Sequence, residues 1–399
     1  MLRFLTAGES HGPALVAILE GLPSGLPLDH DRITSDLRRR QQGYGRGRRM
    51  SIETDQAEIL SGVRHGRTTG APVALLVHNK DWLHWQSTMR AGEAGDEPGG
   101  RPPVTRPRPG HADLSGSLKY GHRDLRDVLE RASARETAAR VAVGALARQL
   151  LSAFSTEVAS HVIAIGGTGG DGQDEVPFDH VRDFADHSAV RCVEASLERA
   201  MIEEIDRARA AGDTVGGVFE VIGHGVPPGL GSYGQWDRRL DGRLAQALMS
   251  IPAVKAVGIG IGRRAAATWS SGVQDAILPL GEDERTAARP VARGSNRAGG
   301  LEGGVTNGQD VRVTGYMKPI ATLMKPLPSV DLGTLEAAPA SIERSDVCAV
   351  PAAAVVAEAM VCLVLADAMV EKFAGDSLEE MRRNYDGFMR EILRRFGGS

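Results

Sequence analysis

A short turn sequence occurs twice in this chain, 204 residues apart: Gly21-Leu22-Pro23-Ser24-Gly25-Leu26 and Gly225-Val226-Pro227-Pro228-Gly229-Leu230. Each copy follows a segment with strand character, residues 14–20 and 217–223, and each leads towards a short helical segment, roughly residues 31–41 and 237–249. Each half then closes on a long alanine-rich helix, residues 133–154 and 350–373. One hexamer match carries little, but agreement in element order makes internal duplication the reading. The period is too long for a solenoid, so the pattern points to one domain with pseudo-twofold symmetry. Neither long helix shows a wide polar face, which predicts that both are covered on two sides. The apolar run 347–370 contains Glu358 and Asp367. Ionised groups at those places argue for a buried helix and against a membrane span.

Composition narrows the class. At 399 residues with 42% hydrophobic and 25% charged residues, the chain has ample material for a core. Its net charge of -4 sets up no global field for nucleic acid or an acidic membrane surface. Cys192, Cys348 and Cys362 are odd in number and lack metal-ligand spacing. They predict a reducing compartment, no disulfide framework and no metal centre. With no charged-then-apolar signal pattern at the N-terminus, a cytoplasmic location is expected. Arginine outnumbers lysine 41 to 6. Codon bias accounts for most of that ratio but not for where the arginines cluster.

They cluster in residues 106–140, which hold seven arginines together with His111 and His122. The first half, with Pro107, Pro109, Gly110, Gly116 and Gly121, reads as irregular. Ser133-Ala134-Arg135-Glu136 then fits a capping box, with Ser133 as N-cap and Glu136 reaching back. A loop rich in arginine and histidine thus runs into a helix N-terminus, a natural anion site. A second basic tract, residues 40–49, has glycine at 43, 45 and 47 and reads as a flexible loop. On its own it would suit an RNA- or phosphate-binding protein. His11 stands on a turn between Gly8 and Gly12 that leaves its ring accessible. Residues 80–105, with Trp82 and Trp85, and residues 169–187 read as surface loops. The block Asn296 to Gly304 is glycine-rich but is no P-loop, and Gly258-Ile259-Gly260 lacks the third glycine of a dinucleotide fingerprint.

Several blocks are more specific: AGESHG at 7–12, RPGHAD at 108–113, KYGHRDLRDVLERASARETAARVA at 119–142, NRAGGLEGG at 296–304, KPIAT at 318–322 and RSD at 344–346. Together they resemble the chorismate synthase family over nearly the whole chain. One departure is Lys255-Ala256-Val257-Gly258, where the family commonly has a glutamate after Lys-Gly-Val; local detail near Pro252 and Ala253 is affected. The resemblance implies an α+β fold: a single-domain β-α-β sandwich with internal pseudo-twofold duplication, its long central helices between antiparallel sheets. It implies 1,4-elimination of phosphate from 5-enolpyruvylshikimate-3-phosphate to give chorismate. Reduced FMN is required without net redox, and NAD(P)H serves only indirectly as the source of flavin reduction. It implies a homotetramer. It assigns Arg40, Arg46, Arg49, Arg108 and Arg135 to the substrate, and His11 to protonation of the departing phosphate. His111 would protonate the reduced flavin or stabilise its anion, and Asp346 would assist proton removal near the flavin N5 edge. Arg131, Ala132, Ser133, Pro252, Ala253, Gly303, Lys318, Pro319, Ile320, Ala321, Thr322 and Arg344 would hold FMN.

Arginine forks match both carboxylate and phosphate, which suits so anionic a ligand set. Mutual repulsion of the arginines predicts that residues 42–50 form a lid, ordered only with ligands bound. An ordered empty loop would need a counter-charge such as Asp113 or Glu136. Two other readings remain open at this point: a polyanion-binding protein using the 40–49 tract, and an ordinary flavin oxidoreductase with net hydride transfer.

Overall fold

The computed structural model describes residues 1–47, 54–92, 100–170, 175–343 and 345–396. Two antiparallel sheets form its frame. The first runs in the order Arg3–Ala7, Ala14–Glu20, Val73–His78, Ala57–Ser61. Its alternation is that of a sheet packed on one face. Leu15, Ala17 and Leu19 are buried beside Val73, Leu75 and Val77, while Ile18 and Leu5 point outwards. The second sheet runs in the order Val254–Ile259, Val311–Met317, Gly217–His224, Glu157–Ile165, Thr168–Gly169.

The long helices Thr137–Ser152 and Val350–Phe373 pack against each other. The first also packs on the strands Ala14–Glu20 and Val73–His78, the second on Glu157–Ile165 and Gly217–His224. Each helix therefore has a sheet on one side and a helix on the other, which is why neither needs a polar face. Val350–Phe373 is long and apolar enough to cross a membrane, yet 83% of its most apolar window lies inside the protein. Glu358 within it is fully buried and meets Arg39, Arg148 and Arg191 at 2.7, 2.5 and 3.1 Å. Burial alone would raise this carboxyl's pKa; the three arginines hold it well below the usual range.

The two copies of the turn hexamer are held alike. Gly25 N–H donates to the Thr68 carbonyl and Gly229 N–H to the Thr306 carbonyl. Leu26 N–H donates to the Thr68 hydroxyl and Leu230 N–H to the Thr306 hydroxyl. Those hydroxyls in turn donate to the carbonyls of Pro23 and Pro227. Gly21 and Gly225 both have positive φ, and a Cβ on either would sit 2.3 Å from a carbonyl oxygen, of Met1 and Ser155 respectively.

Three local expectations are corrected. The capping box does not close: Ser133 Oγ accepts from Arg135 N–H, but Glu136 takes the Thr6 hydroxyl at 2.6 Å and Arg140 at 2.8 Å instead. A tertiary partner and an i+4 arginine outcompete the N-cap amide. The irregular stretch before it contains the helices Asp113–Tyr120 and Arg126–Leu129. Residues 169–187 are only partly loop, because Phe178–Phe184 is a helix that buries Phe178 and Val181; of the rest, 171–174 lie outside the described residues. Helices this short offer too few turns for a period to show.

Candidate active site

The His11 turn is strapped from behind. Asn79 Nδ2 donates to the carbonyls of Glu9 and Gly12 at 3.0 and 2.8 Å. The imidazole Nδ1 faces both oxygens of Glu130, at 2.8 and 3.0 Å, and the His11 backbone N–H donates to the same carboxylate at 2.8 Å. Trp85 stacks on the ring with centroids 3.9 Å apart. Trp85 was expected in a surface loop; it is buried because it covers this histidine, with Arg101 over its ring at 3.7 Å.

Asn79 also connects the histidine to the arginines, since its Oδ1 accepts from Arg135 Nε at 2.9 Å. Arg135 Nη1 donates to one oxygen of Asp55 at 2.5 Å and Arg40 Nη2 to the other at 3.1 Å. Both guanidinium groups and Asp55 are buried. Burial draws the Arg40 pKa down to about 10, with Asp55 opposing and the charges of Arg135 and Arg46 adding to the fall. Arg40 Nε has no hydrogen-bond partner among the described residues. Arg46 pairs with Asp346 at 3.2 Å, and Asp346 also accepts the Gly47 N–H at 2.6 Å. Ser133 Oγ donates to Ser10 Oγ at 3.1 Å. His11, Arg40, Arg46, Ser133, Arg135 and Asp346 thus form one group.

A second group gathers around Arg108. Its Nε and Nη2 donate to Asp113 at 2.8 and 3.1 Å, and its Nη1 to the Thr322 hydroxyl at 3.0 Å. His111 Nδ1 lies 2.5 Å from Asp113 Oδ1. Burial pushes the Asp113 carboxyl up, but bonds from His111 and Arg108 hold it well below the usual range. Lys318 Nζ donates to the Gly110 carbonyl at 3.0 Å, and Lys318 N–H to the carbonyl of Ala253, next to Pro252, at 2.9 Å. The Thr214 hydroxyl donates to the Ile320 carbonyl at 2.8 Å and Val215 N–H to the Val347 carbonyl at 3.0 Å, tying Pro319, Ile320 and Ala321 to the neighbourhood of Asp346. The two groups are therefore linked through this strand end and through residues 108–135.

Not every expected residue joins them. Arg131 lies at the edge, donating to the carbonyls of Thr6 and Gly8 at 2.8 and 3.1 Å, with Ala132 beside it. Gly303 is on the turn of the hairpin Leu301–Glu302 to Val305–Thr306, near Tyr233, and no described hydrogen bond ties it to either group. Arg49 and Arg344 lie outside the described residues. The sequence reading missed Asp55, Asn79 and Glu130 altogether. Glu130 stands inside a quoted block, but nothing local marks Asp55 or Asn79. A cleft of about 790 Å³ lies elsewhere, between the Gly25 turn and Arg382, and touches neither group.

Arg39, Arg40 and Arg46 point at internal carboxylates, so this part of the basic tract is not a solvated strip for RNA. A cationic ammonium, a guanidinium and a hydroxyl at Lys318, Arg108 and Thr322 form a donor set that fits a phosphate-bearing cofactor such as a flavin nucleotide. Two histidines each bound at Nδ1 by a buried carboxylate, among arginines held on acids, make an arrangement chemically suited to an enzyme that moves protons on a strongly anionic substrate.

The family model described as chorismate synthase matches residues 2–370. The chain is 55% identical to a chorismate synthase of Solibacter usitatus over 98% of this chain and 99% of that protein. It is 56% identical to one of Desulforudis audaxviator over the full length of both. A crystal structure of a chorismate synthase superposes with a TM-score of 0.77 at 41% identity, covering 98% of each chain. The chain belongs to the chorismate synthase family, flavin-dependent lyases of the shikimate pathway that serve aromatic amino acid biosynthesis.

Proposed function

We propose that this chain eliminates phosphate from 5-enolpyruvylshikimate-3-phosphate, breaking the C–O bond at one end of the allylic system and a C–H bond at the other. Arg40, Arg46, Arg108 and Arg135, with Arg49 beyond the described residues, bind the two carboxylates and the phosphate. His11 gives the departing phosphate a proton from Nε2, its Nδ1 being held by Glu130. Asp346, paired with Arg46 and close enough for its charge to act on Arg40, takes part in removing the ring proton. Reduced FMN would lend electron density to the reacting substrate and recover it, so NAD(P)H serves only indirectly, to keep the flavin reduced. His111, its Nδ1 on Asp113, presents Nε2 to hold or supply a proton at the flavin. Lys318, Pro319, Ile320, Ala321 and Thr322, with Pro252, Ala253, Arg131, Ala132, Ser133, Gly303 and Arg344, are the residues assigned to the cofactor.

The observation that carries this reading is the sharing of Asp55 between Arg40 and Arg135, with Arg135 in turn on Asn79, which straps the turn that carries His11. The matched turns and stacked helices support the finer fold description, one β-α-β sandwich domain whose halves, about 1–154 and 155–399, arose by duplication. A cytoplasmic homotetramer completes the proposal; the exposed cross-strand pair Leu5 and Ile18 gives the first sheet an apolar outer face for subunit packing. The test is an anaerobic assay with purified protein, chemically reduced FMN and the enolpyruvyl substrate. Chorismate absorbance should rise with one phosphate released per turnover and no reductant consumed. Product formation with oxidised conditions and no flavin, or consumption of one reductant per product, would overturn it.

A further inference from the structure

We infer that Glu130 is the positioning residue that fixes the tautomer of His11 and so decides which ring nitrogen meets the leaving phosphate, a claim that rests on the reading of His11 as the acid. A neutral imidazole carries one N–H, on either nitrogen, and a carboxylate can only accept. Nδ1 faces both Glu130 oxygens at 2.8 and 3.0 Å, so it is the nitrogen that carries the hydrogen. The carboxylate cannot swing away without cost, because it also accepts the His11 backbone N–H at 2.8 Å and is fully buried. The backbone adds a third tie: Ser10 N–H donates to the Glu130 carbonyl at 3.0 Å. One residue thus holds the turn by its main chain and the ring by its side chain.

With Nδ1 committed to Glu130, Nε2 is the nitrogen assigned to the phosphate. Trp85 covers one ring face with an interplanar angle of 20°. Among the described residues, charged groups facing this assembly include Asp81, 3.8 Å from Nε2, Arg126, 3.7 Å from Glu130 Oε1, and Arg101 over Trp85. When the ring is protonated, the Nδ1–H stays on Glu130 and the Nε2–H is the proton to be given. After transfer the ring is already the Nδ1–H tautomer, so neither rotation nor a second proton shift is needed. The logic is that of any acid–base histidine ordered by a third group.

The experiment uses the full-length protein labelled with 15N-histidine. Long-range 1H–15N spectra of the neutral ring should show the Nδ1–H tautomer of His11 in the wild type. Glu130→Gln keeps the shape but offers an amide that can donate to Nδ1, so the Nε2–H form should become populated. Turnover should fall by at least about tenfold, as for lost orienting partners elsewhere, with KM little changed because Arg40 and Arg135 are untouched. An unchanged tautomer in Glu130→Gln overturns the proposal. A changed tautomer with full turnover supports the positioning role of Glu130 and overturns instead the acid role of His11. Should the glutamine variant fail to fold, Glu130→Asp retains the acceptor and must retain the Nδ1–H signature; loss of it overturns the proposal.

Discussion

Two like charges about 4 Å apart repel by roughly 4 kcal/mol at an effective dielectric of 20, which is the problem posed by burying Arg40 near Arg135. Asp55 removes it by giving one oxygen to each. Asp346 does the same for Arg46 and Asp113 for Arg108, whereas Glu136, the other candidate counter-charge, is taken by Thr6 and Arg140. Each of these arginines therefore meets an internal carboxylate, with Asp55 serving two of them, and an anionic ligand must compete with these carboxylates. This sharpens what substitutions should do. His111→Ala should cut turnover on the order of a hundredfold, the scale of a lost proton-transfer group, with a smaller change in substrate affinity. Asp346→Asn should do the same, read by steady-state kinetics with FMN kept reduced. A rise in KM with turnover intact would mean that Asp346 serves only as the counter-ion of Arg46.

The basic loop is where element-scale reasoning from sequence met its limit. Glycines at 43, 45 and 47 suggested a lid ordered only by ligands. The structure instead ties its first part down: Tyr44 N–H donates to the Ala189 carbonyl at 2.7 Å, the Tyr44 hydroxyl to Asp206 at 2.8 Å, Val347 N–H to the Gly45 carbonyl at 2.8 Å, and Gly47 N–H to Asp346. Residues 48–50, the remainder of the expected lid, lie outside the described residues. The amides of Tyr44 and Gly47 should accordingly exchange slowly in the ligand-free enzyme, and protection that appears only when FMN and substrate are both present would restore the lid for the whole loop. Elements with strong patterns were legible from sequence: Ala14–Glu20 and Val350–Phe373 stand at the bounds read for that strand and that helix. The helices Asp113–Tyr120 and Phe178–Phe184 were not, being one or two turns long. The quoted blocks contained most residues of both site groups, but Asp55 and Asn79 act through partners distant in sequence, Arg135 and Glu9 among them, which no local spacing reveals.

The whole molecule depends on how closely its two halves approach. The equivalent hydrogen bonds of Thr68 and Thr306 show the same turn built twice, and the long helix of one half lies directly on that of the other. The contact is closest at Gly144, where an added Cβ would stand 2.4 Å from Ala359 Cβ and 2.7 Å from its Cα. Next to Ala359 sits Glu358 with its three arginines, so the crossing also sets the buried charge network that begins with Arg39, the neighbour of Arg40. Gly144→Ala poses two opposed effects. Alanine is favoured over glycine within a helix by about 1 kcal/mol. Overpacking a filled core costs about 1–3 kcal/mol, and here the nearest atoms include backbone of a helix pinned by its own sheet, which places the cost at the upper end. The clash should win, and Gly144→Ala should lower the denaturant midpoint with an unchanged m-value. Gly387 in Leu378–Phe396 supplies the control, because no atom outside its own helix and chain neighbours lies within 4 Å of its added Cβ. Gly387→Ala should stabilise the protein by up to about 1 kcal/mol through propensity alone. If the two substitutions moved stability in the same favourable direction, the helices would be shown to separate at little cost, and the close crossing would not be what joins the halves.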